Sequence, residues 1–218
     1  MTAKGILFDF DGTLVPNLDL SDMRRQIAAM ADDAGVPAQI YADLYIVEII
    51  DASQAWLAAQ PNTGAAEADA YAAASHQRIS DIELRAAAQT QLFDQARHVL
   101  ARLRQAGYQL GIVTRNCREA VLTMFPDLDQ YIDALHARDD VAFLKPDPRH
   151  LAANLLTLGV EAKNAVMVGD GALDMQAGRQ LNMLCLGVLT GSNDAQALEA
   201  AGADRVLEDY RGLISLLT

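Results

Sequence analysis

The chain has 218 residues, 51% of them apolar and 21% charged, a balance that excludes disordered and low-complexity classes and suffices to bury a core without disulfides or structural metal. Lys and Arg number 17 against 29 Asp and Glu, and the resulting net charge of −12 disfavours nucleic-acid backbones and anionic membrane surfaces as partners. Cys117 and Cys185 are too few for a secreted disulfide framework, Asp9 and Asp11 interrupt the first apolar run at once, and no stretch reaches the ~18 apolar residues of a membrane span, so a cytoplasmic protein is expected.

Gly5–Phe10 is a short apolar run closed by Asp11-Gly12 and reads as a buried strand ending in a tight turn. From about Asp19 to Arg85 strand-like runs are absent. Ala, Leu, Ile and Gln dominate there, with breaks at Gly35-Val36-Pro37 and Pro61-Asn62-Thr63-Gly64, which predicts three or more helices. Strands and helices then alternate. A helix over Ala96–Ala106 stops at Gly107 before a strand over Tyr108–Thr114. A helix over Asn116–Met124 stops at Pro126, and Tyr131–His136 reads as a short strand. Asp147–Leu158 is a helix opened by Pro148 and closed by Gly159. Strands over Asn164–Gly169 and Met183–Val188 flank a helix over Leu173–Leu181. A helix over Asp194–Ala201, a strand over Asp204–Leu207 and a terminal helix complete the chain. Repeated strand–helix units with apolar, unalternating strands predict an α/β fold: a Rossmann-like parallel sheet covered on both faces. The all-helical insert makes that core discontinuous, with residues 1–16 and 90–218 as the α/β part and 17–89 as a helical cap.

In such sheets ligands bind beyond the carboxyl ends of the strands. The polar residues at those exits are Asp9, Phe10 and Asp11; Thr114, Arg115 and Asn116; Lys145 in Phe143-Leu-Lys-Pro-Asp-Pro148; and Asp170 and Asp174 in Gly169-Asp-Gly-Ala-Leu-Asp174. Four carboxylates this close repel unless a cation neutralises them, and an all-oxygen ligand set suits Mg²⁺. A lysine and the turn amides around Gly12 beside that metal would hold a phosphate. One aspartate of the Asp9–Asp11 pair can attack phosphorus while the other shuttles a proton.

Asp9-Phe-Asp-Gly-Thr-Leu-Val15, Ile112-Val-Thr114, Lys145-Pro-Asp-Pro148 and Gly169-Asp-Gly-Ala-Leu-Asp174 resemble, in order, the four motifs of the haloacid dehalogenase superfamily. The cap inserted after the first motif is similar to that of its helical-cap subfamily, which includes phosphoglycolate phosphatases. The resemblance implies a Mg²⁺-dependent phosphomonoester hydrolase acting on a small phosphorylated metabolite. In it Asp9 is the nucleophile that becomes an aspartyl-phosphate, and Asp11 is the acid and then the base. Thr114 and Lys145 grip the phosphoryl group, with Phe10, Gly12, Thr13, Arg115 and Asn116 completing the substrate-binding set. Asp9, Asp11, Asp170 and Asp174 would hold the metal. Gly171 departs from the pattern, since relatives often carry Ser, Thr or Asn there.

Within that superfamily Asp11 argues against dehalogenation, because a halide leaves without a proton. No lysine lies between Lys4 and Lys145 to form the Schiff base of phosphonate cleavage. A phosphomutase needs a cap that grips a second phosphate, and no Lys or Arg occurs from Gln26 to Gln77. Phosphomutase-type phosphoryl transfer and a catalytically silent binding protein on the same fold stay as alternatives, although for the second no charged catalytic position is missing. Trp56, Tyr41 and Tyr45 are expected in the core or along the cleft, and His98, His136 and His150 at the surface or at helix ends. Thr190, Gly191 and Ser192 are expected at the cleft mouth by the strand-exit rule.

Overall fold

The computed structural model describes residues 4–61 and 64–217. Short apolar runs, largely buried except at the β6 edge, form strands that pair only in parallel: β1 (Lys4–Phe8), β2 (Tyr108–Val113), β3 (Ala134–His136), β4 (Ala165–Gly169), β5 (Leu184–Val188) and β6 (Arg205–Leu207). The strand order is β3-β2-β1-β4-β5-β6, so the winding direction reverses between β1 and β4. Leu7 at the centre registers with Gly111 on one side and Met167 on the other. Leu7, Val113, Leu151, Leu155, Met167, Met175 and Cys185 meet in one core cluster beneath the sheet, each nearly or wholly excluded from water. Each such aliphatic side chain contributes about 1.5–3 kcal/mol.

The covering helices follow local signals. The helix α6 (Pro148–Leu158) starts where Asp147 accepts the Arg149 amide at 2.9 Å and Pro148 fills the first turn. It ends at Gly159, whose φ of 67° is the left-handed conformation that terminates helices. The helices α4 (Ala96–Gln105), α5 (Arg118–Met124), α7 (Ala172–Gln180), α8 (Ala195–Ala201) and α9 (Gly212–Leu217) complete the layers.

The remaining helices are α1 (Leu20–Asp33), α2 (Ile46–Ala58) and α3 (Ala65–Ala87), with a short 3₁₀ turn at Ala38–Ile40. Asp19 caps α1 by accepting the Asp22 amide at 2.9 Å. Met23, Ile27 and Ala31 of α1 and Ile49, Ile50 and Leu57 of α2 are buried. The chain divides into two compact units, Met1–Leu18 with Ala87–Thr218, and Asp19–Ala86. Residues 62 and 63 of the second expected helix break lie outside the described residues.

Two strands are shorter than their apolar runs suggest. β1 stops at Phe8 because the Phe10 carbonyl gathers the amides of Thr13, Leu14 and Val15 into a turn. β3 starts at Ala134 rather than Tyr131, since Leu128–Gln130 forms a 3₁₀ turn and the Asp133 side chain accepts the Leu110 amide at 2.8 Å. Tyr41 is buried, and Tyr45 is half exposed.

Candidate active site

β1 exits at the reversal point of the sheet, where the fold leaves a crevice between neighbouring strand ends. Asp9 is anchored there, its amide donating to the Val168 carbonyl at 2.8 Å. Lys145 enters from the segment before α6, joined to Pro146 by a cis peptide bond. Its ammonium donates to Asp9 Oδ1 at 2.7 Å and to Asp174 Oδ1 at 2.6 Å. Lys145 and Asp174 are each 2% exposed, so this bridge is almost dry.

Burial by itself disfavours charge on Lys145, yet Asp174 and Asp9 outweigh that cost and hold its pKa above the usual lysine range. The carboxyls of Asp170 and Asp174 are both pushed upward, first by burial and then by the Asp9 charge. One ammonium therefore faces three carboxylates. Ligand oxygens of Asp9, Asp170 and Asp174 all lie within 4.8 Å of one another.

Asp170 is packed against two glycine backbones. A Cβ on Gly12, whose φ is 76°, would lie 2.5 Å from Asp170 Oδ2, and one on Gly191 would lie 1.6 Å from it. Side chains at either position would occupy the space of the carboxylate. The Ser192 amide donates to Asp170 Oδ2 at 3.3 Å, and Asn193 Nδ2 donates to the Asp170 carbonyl at 3.0 Å. Asn17 Nδ2 stands 3.5 Å from the same Oδ2 and donates to Ser192 Oγ at 2.8 Å. Thr190 Oγ1 donates to the Gly12 carbonyl, fastening the β5 exit to the β1 turn.

Asp11 is held from the β2 side. Asn116 Nδ2 donates to its two oxygens at 3.0 and 3.2 Å, and Thr114 Oγ1 lies 3.4 Å away. Thr114 Oγ1 also accepts the Asn116 amide at 3.0 Å, and Asn116 Oδ1 accepts the Cys117 amide at 2.8 Å at the start of α5. Thr114, Asn116 and Asp11 thus form one hydrogen-bonded group, and Lys145 with Asp9 and Asp174 forms a second, beside which Asp170 stands.

Other expected residues serve the frame. Phe10 is buried, the Gly12 amide is committed to the Val15 carbonyl at 2.8 Å, and the Thr13 amide to the Phe10 carbonyl at 3.2 Å. Arg115 donates to the Lys145 carbonyl. Gly171 leaves its amide to Asp174 Oδ2 at 3.1 Å.

His150, expected at the surface or a helix end, is fully buried in the first turn of α6. Its Nδ1 accepts the Lys145 amide at 3.3 Å, which leaves the Nε2 proton to donate to the His136 carbonyl at 3.2 Å. Burial first, and then the Lys145 charge, push its pKa down to about 3. Asn17, Asn193 and His150 carry no local motif; Ser192 was visible only as a strand-exit residue. His98 is exposed.

The donor set is composed of hard carboxylate oxygens with excess negative charge, which fits a divalent cation of the Mg²⁺ class. Asp9 and Asp170 each keep an oxygen not engaged by Lys145 or Ser192, whereas both oxygens of Asp174 already accept.

Comparison with known proteins agrees with the geometry. A family model described as haloacid dehalogenase-like hydrolase matches residues 3–182. A phosphoglycolate phosphatase of Xanthomonas campestris pv. campestris is 33% identical over 192 residues, covering 86% of this chain and 84% of that one. The pyrophosphatase PpaX of Bacillus velezensis is 35% identical over 119 residues, and that match spans only 54% of this chain and 55% of its partner. The solved structure of a hydrolase from Pseudomonas syringae superposes with a TM-score of 0.67 at 22% identity, covering 98% and 97% of the two chains, which is a likeness of fold.

Proposed function

Because the chain belongs to the haloacid dehalogenase-like hydrolases, we propose that it is a Mg²⁺-dependent phosphatase that cleaves small phosphomonoesters through an aspartyl-phosphate on Asp9. The observation that carries this reading is the pairing of Asp9, neutralised on one oxygen by Lys145, with a second aspartate, Asp11, held separately by Asn116 and Thr114. Two carboxyls in different surroundings suit two different tasks.

In this mechanism the free oxygen of Asp9 attacks phosphorus and the bond from phosphorus to the ester oxygen breaks. Asp11 enters protonated and delivers its proton to the departing alkoxide. A water oxygen then bonds to phosphorus, the Asp9–phosphorus bond breaks, and Asp11 takes up the water proton, which restores both residues. Lys145 and the Thr114 hydroxyl offset charge on the transferring group and fix its position, which is most of what phosphoryl transfer asks of a protein. A divalent cation held by Asp9, Asp170 and the Asp11 carbonyl would supply further charge neutralisation at the phosphoryl oxygens. Asp174, already occupied on both oxygens, orients Lys145 and the loop at Gly171.

The phosphatase names of the relatives support a small phosphorylated substrate. The buried free thiols of Cys117 and Cys185 suit a reducing, cytoplasmic setting. No helix among the described residues is long and apolar enough to cross a membrane. The test is hydrolysis of p-nitrophenyl phosphate with and without Mg²⁺. Metal-dependent turnover that vanishes in Asp9→Asn is expected, and a folded protein inert under both conditions would overturn the reading.

A further inference from the structure

Basic side chains are distributed unevenly around the candidate site. At the carboxyl rim of the sheet each one has a partner in place. Lys145 joins Asp9 and Asp174, Arg118 joins Asp140 at 2.7 Å, Arg149 joins Asp147 at 2.5 Å, and Arg211 joins Asp209. Arg115 donates to the Lys145 carbonyl, and Arg138 to the Arg115 carbonyl at 3.1 Å. Lys4, Arg102 and Arg205, which join no ion pair shown among the described residues, lie elsewhere. Lys4 and Arg205 open β1 and β6, and Arg102 sits in the last turn of α4, which leads into β2. All three therefore mark the opposite rim, where the parallel strands begin.

The helical unit, taken by itself, repeats the pattern. Asp19–Ala86 contains four arginines and no lysine against eleven carboxylates, a balance of −7. Arg25 pairs with Asp22, Arg78 donates to Gln26 Oε1 at 2.8 Å, Arg85 donates to the Asp81 carbonyl at 3.1 Å, and Arg24 donates to the Ala42 carbonyl. Between Gln26 and Gln77 there is neither Lys nor Arg.

We propose that the substrate is a phosphomonoester whose leaving group carries no negative charge, an uncharged or amino alcohol rather than a carboxylate- or phosphate-bearing one. The inference rests on the phosphatase reading above and narrows its substrate class. Lys145, with a divalent cation when one is bound, would neutralise one phosphoryl group. A second anion on the substrate would have to displace an arginine of the rim from its present partner or remain unpaired beside the carboxylates of Asp9, Asp170 and Asp174, and either outcome weakens binding. A neutral hydroxyl meets neither penalty, and an ammonium gains from the surplus carboxylates.

Three esters of nearly equal size separate charge from shape: phosphoethanolamine, 2-hydroxyethyl phosphate and phosphoglycolate. At low ionic strength with Mg²⁺, kcat/KM for phosphoglycolate is expected at least roughly tenfold below that of the other two, the scale of one unpaired like charge. Phosphoglycolate turned over as fast as 2-hydroxyethyl phosphate, or faster, overturns the proposal. The same esters titrated calorimetrically into Asp9→Asn give the order of Kd without turnover. Inertness of the wild type toward all three and toward p-nitrophenyl phosphate would reject the phosphatase reading. The charge inference would then be decided by Kd alone: weakest binding of phosphoglycolate supports it, and any other order, or no binding, overturns it.

Discussion

The Lys145 ammonium lies 2.6 Å from the Asp174 carboxylate, and each side chain is 2% exposed. Neither charge has water to fall back on, so the pair stands or falls together. Lys145→Met strands Asp174 beside Asp9 and is expected to lower unfolding free energy by about 3–5 kcal/mol, the usual cost of orphaning one member of a buried pair. Urea unfolding measures this. Adding Asp174→Asn to Lys145→Met should recover part of the stability and none of the activity. A double variant no more stable than the single one would show that Asp174 does not need its cation.

Asp11 is assigned the proton of the leaving group, and the assignment has a chemical signature. Asp11→Asn should slow hydrolysis of alkyl phosphates by about 10²–10⁴-fold, the range for loss of a general acid or base. Formation of the intermediate from p-nitrophenyl phosphate, whose phenolate leaves without help, should suffer much less in single-turnover experiments. Equal losses for both esters would remove Asp11 from the acid role.

Asp170 is expected to secure the divalent cation. A cation present at about 100 times its Kd stabilises the native state by about 2.7 kcal/mol. Mg²⁺ should therefore raise the thermal midpoint of the wild type, and Asp170→Asn should raise it far less. An equal Mg²⁺ shift in both proteins would place the ion elsewhere.

His150 makes native stability depend on pH. Its native pKa of about 3 lies below the ordinary imidazole value of 6.5, so between those values the unfolded chain binds a proton that the native protein refuses. Stability then rises with pH across this window. Acidification from 6.5 toward 3 erodes stability by up to about 1.4 kcal/mol per pH unit from this one group. His150→Gln should show a shallower loss than the wild type when urea midpoints are compared from pH 7 to pH 4. Parallel curves would mean that His150 charges freely in the native state.

Much of this site was legible because its parts sit at strand exits, and an apolar run closed by Asp-x-Asp-Gly or Gly-Asp announces such an exit without knowledge of the fold. Asp9 and Asp170 carry those signals, Thr114 simply ends its apolar run, and Lys145 stands out as a lysine in Phe143-Leu-Lys-Pro before a helix start. The residues that steady them were not legible, because their partners are distant in the chain. Asn17 meets Asp170 across 153 positions, and nothing near Asn17 marks it as more than a loop residue. His150 looked like a helix-start histidine; its burial follows from the Lys145 amide and the His136 carbonyl, which only the assembled sheet brings to the two faces of its ring. The sequence suggests an amide cradle at Gly12, yet the Gly12 amide closes the turn onto Val15. Strand ends shifted for a similar reason, since the Asp133 carboxylate takes the Leu110 amide and so begins β3 late.

The central claim is that Asp9 bonds to phosphorus. Rapid acid quench of the wild type during turnover with ³²P-labelled ester and Mg²⁺, followed by proteolysis and mass spectrometry, tests it directly. The account predicts labelled phosphate on the peptide bearing Asp9, with no label in Asp9→Asn. Phosphate release proceeding normally in Asp9→Asn, or label carried by a peptide without Asp9, would contradict it.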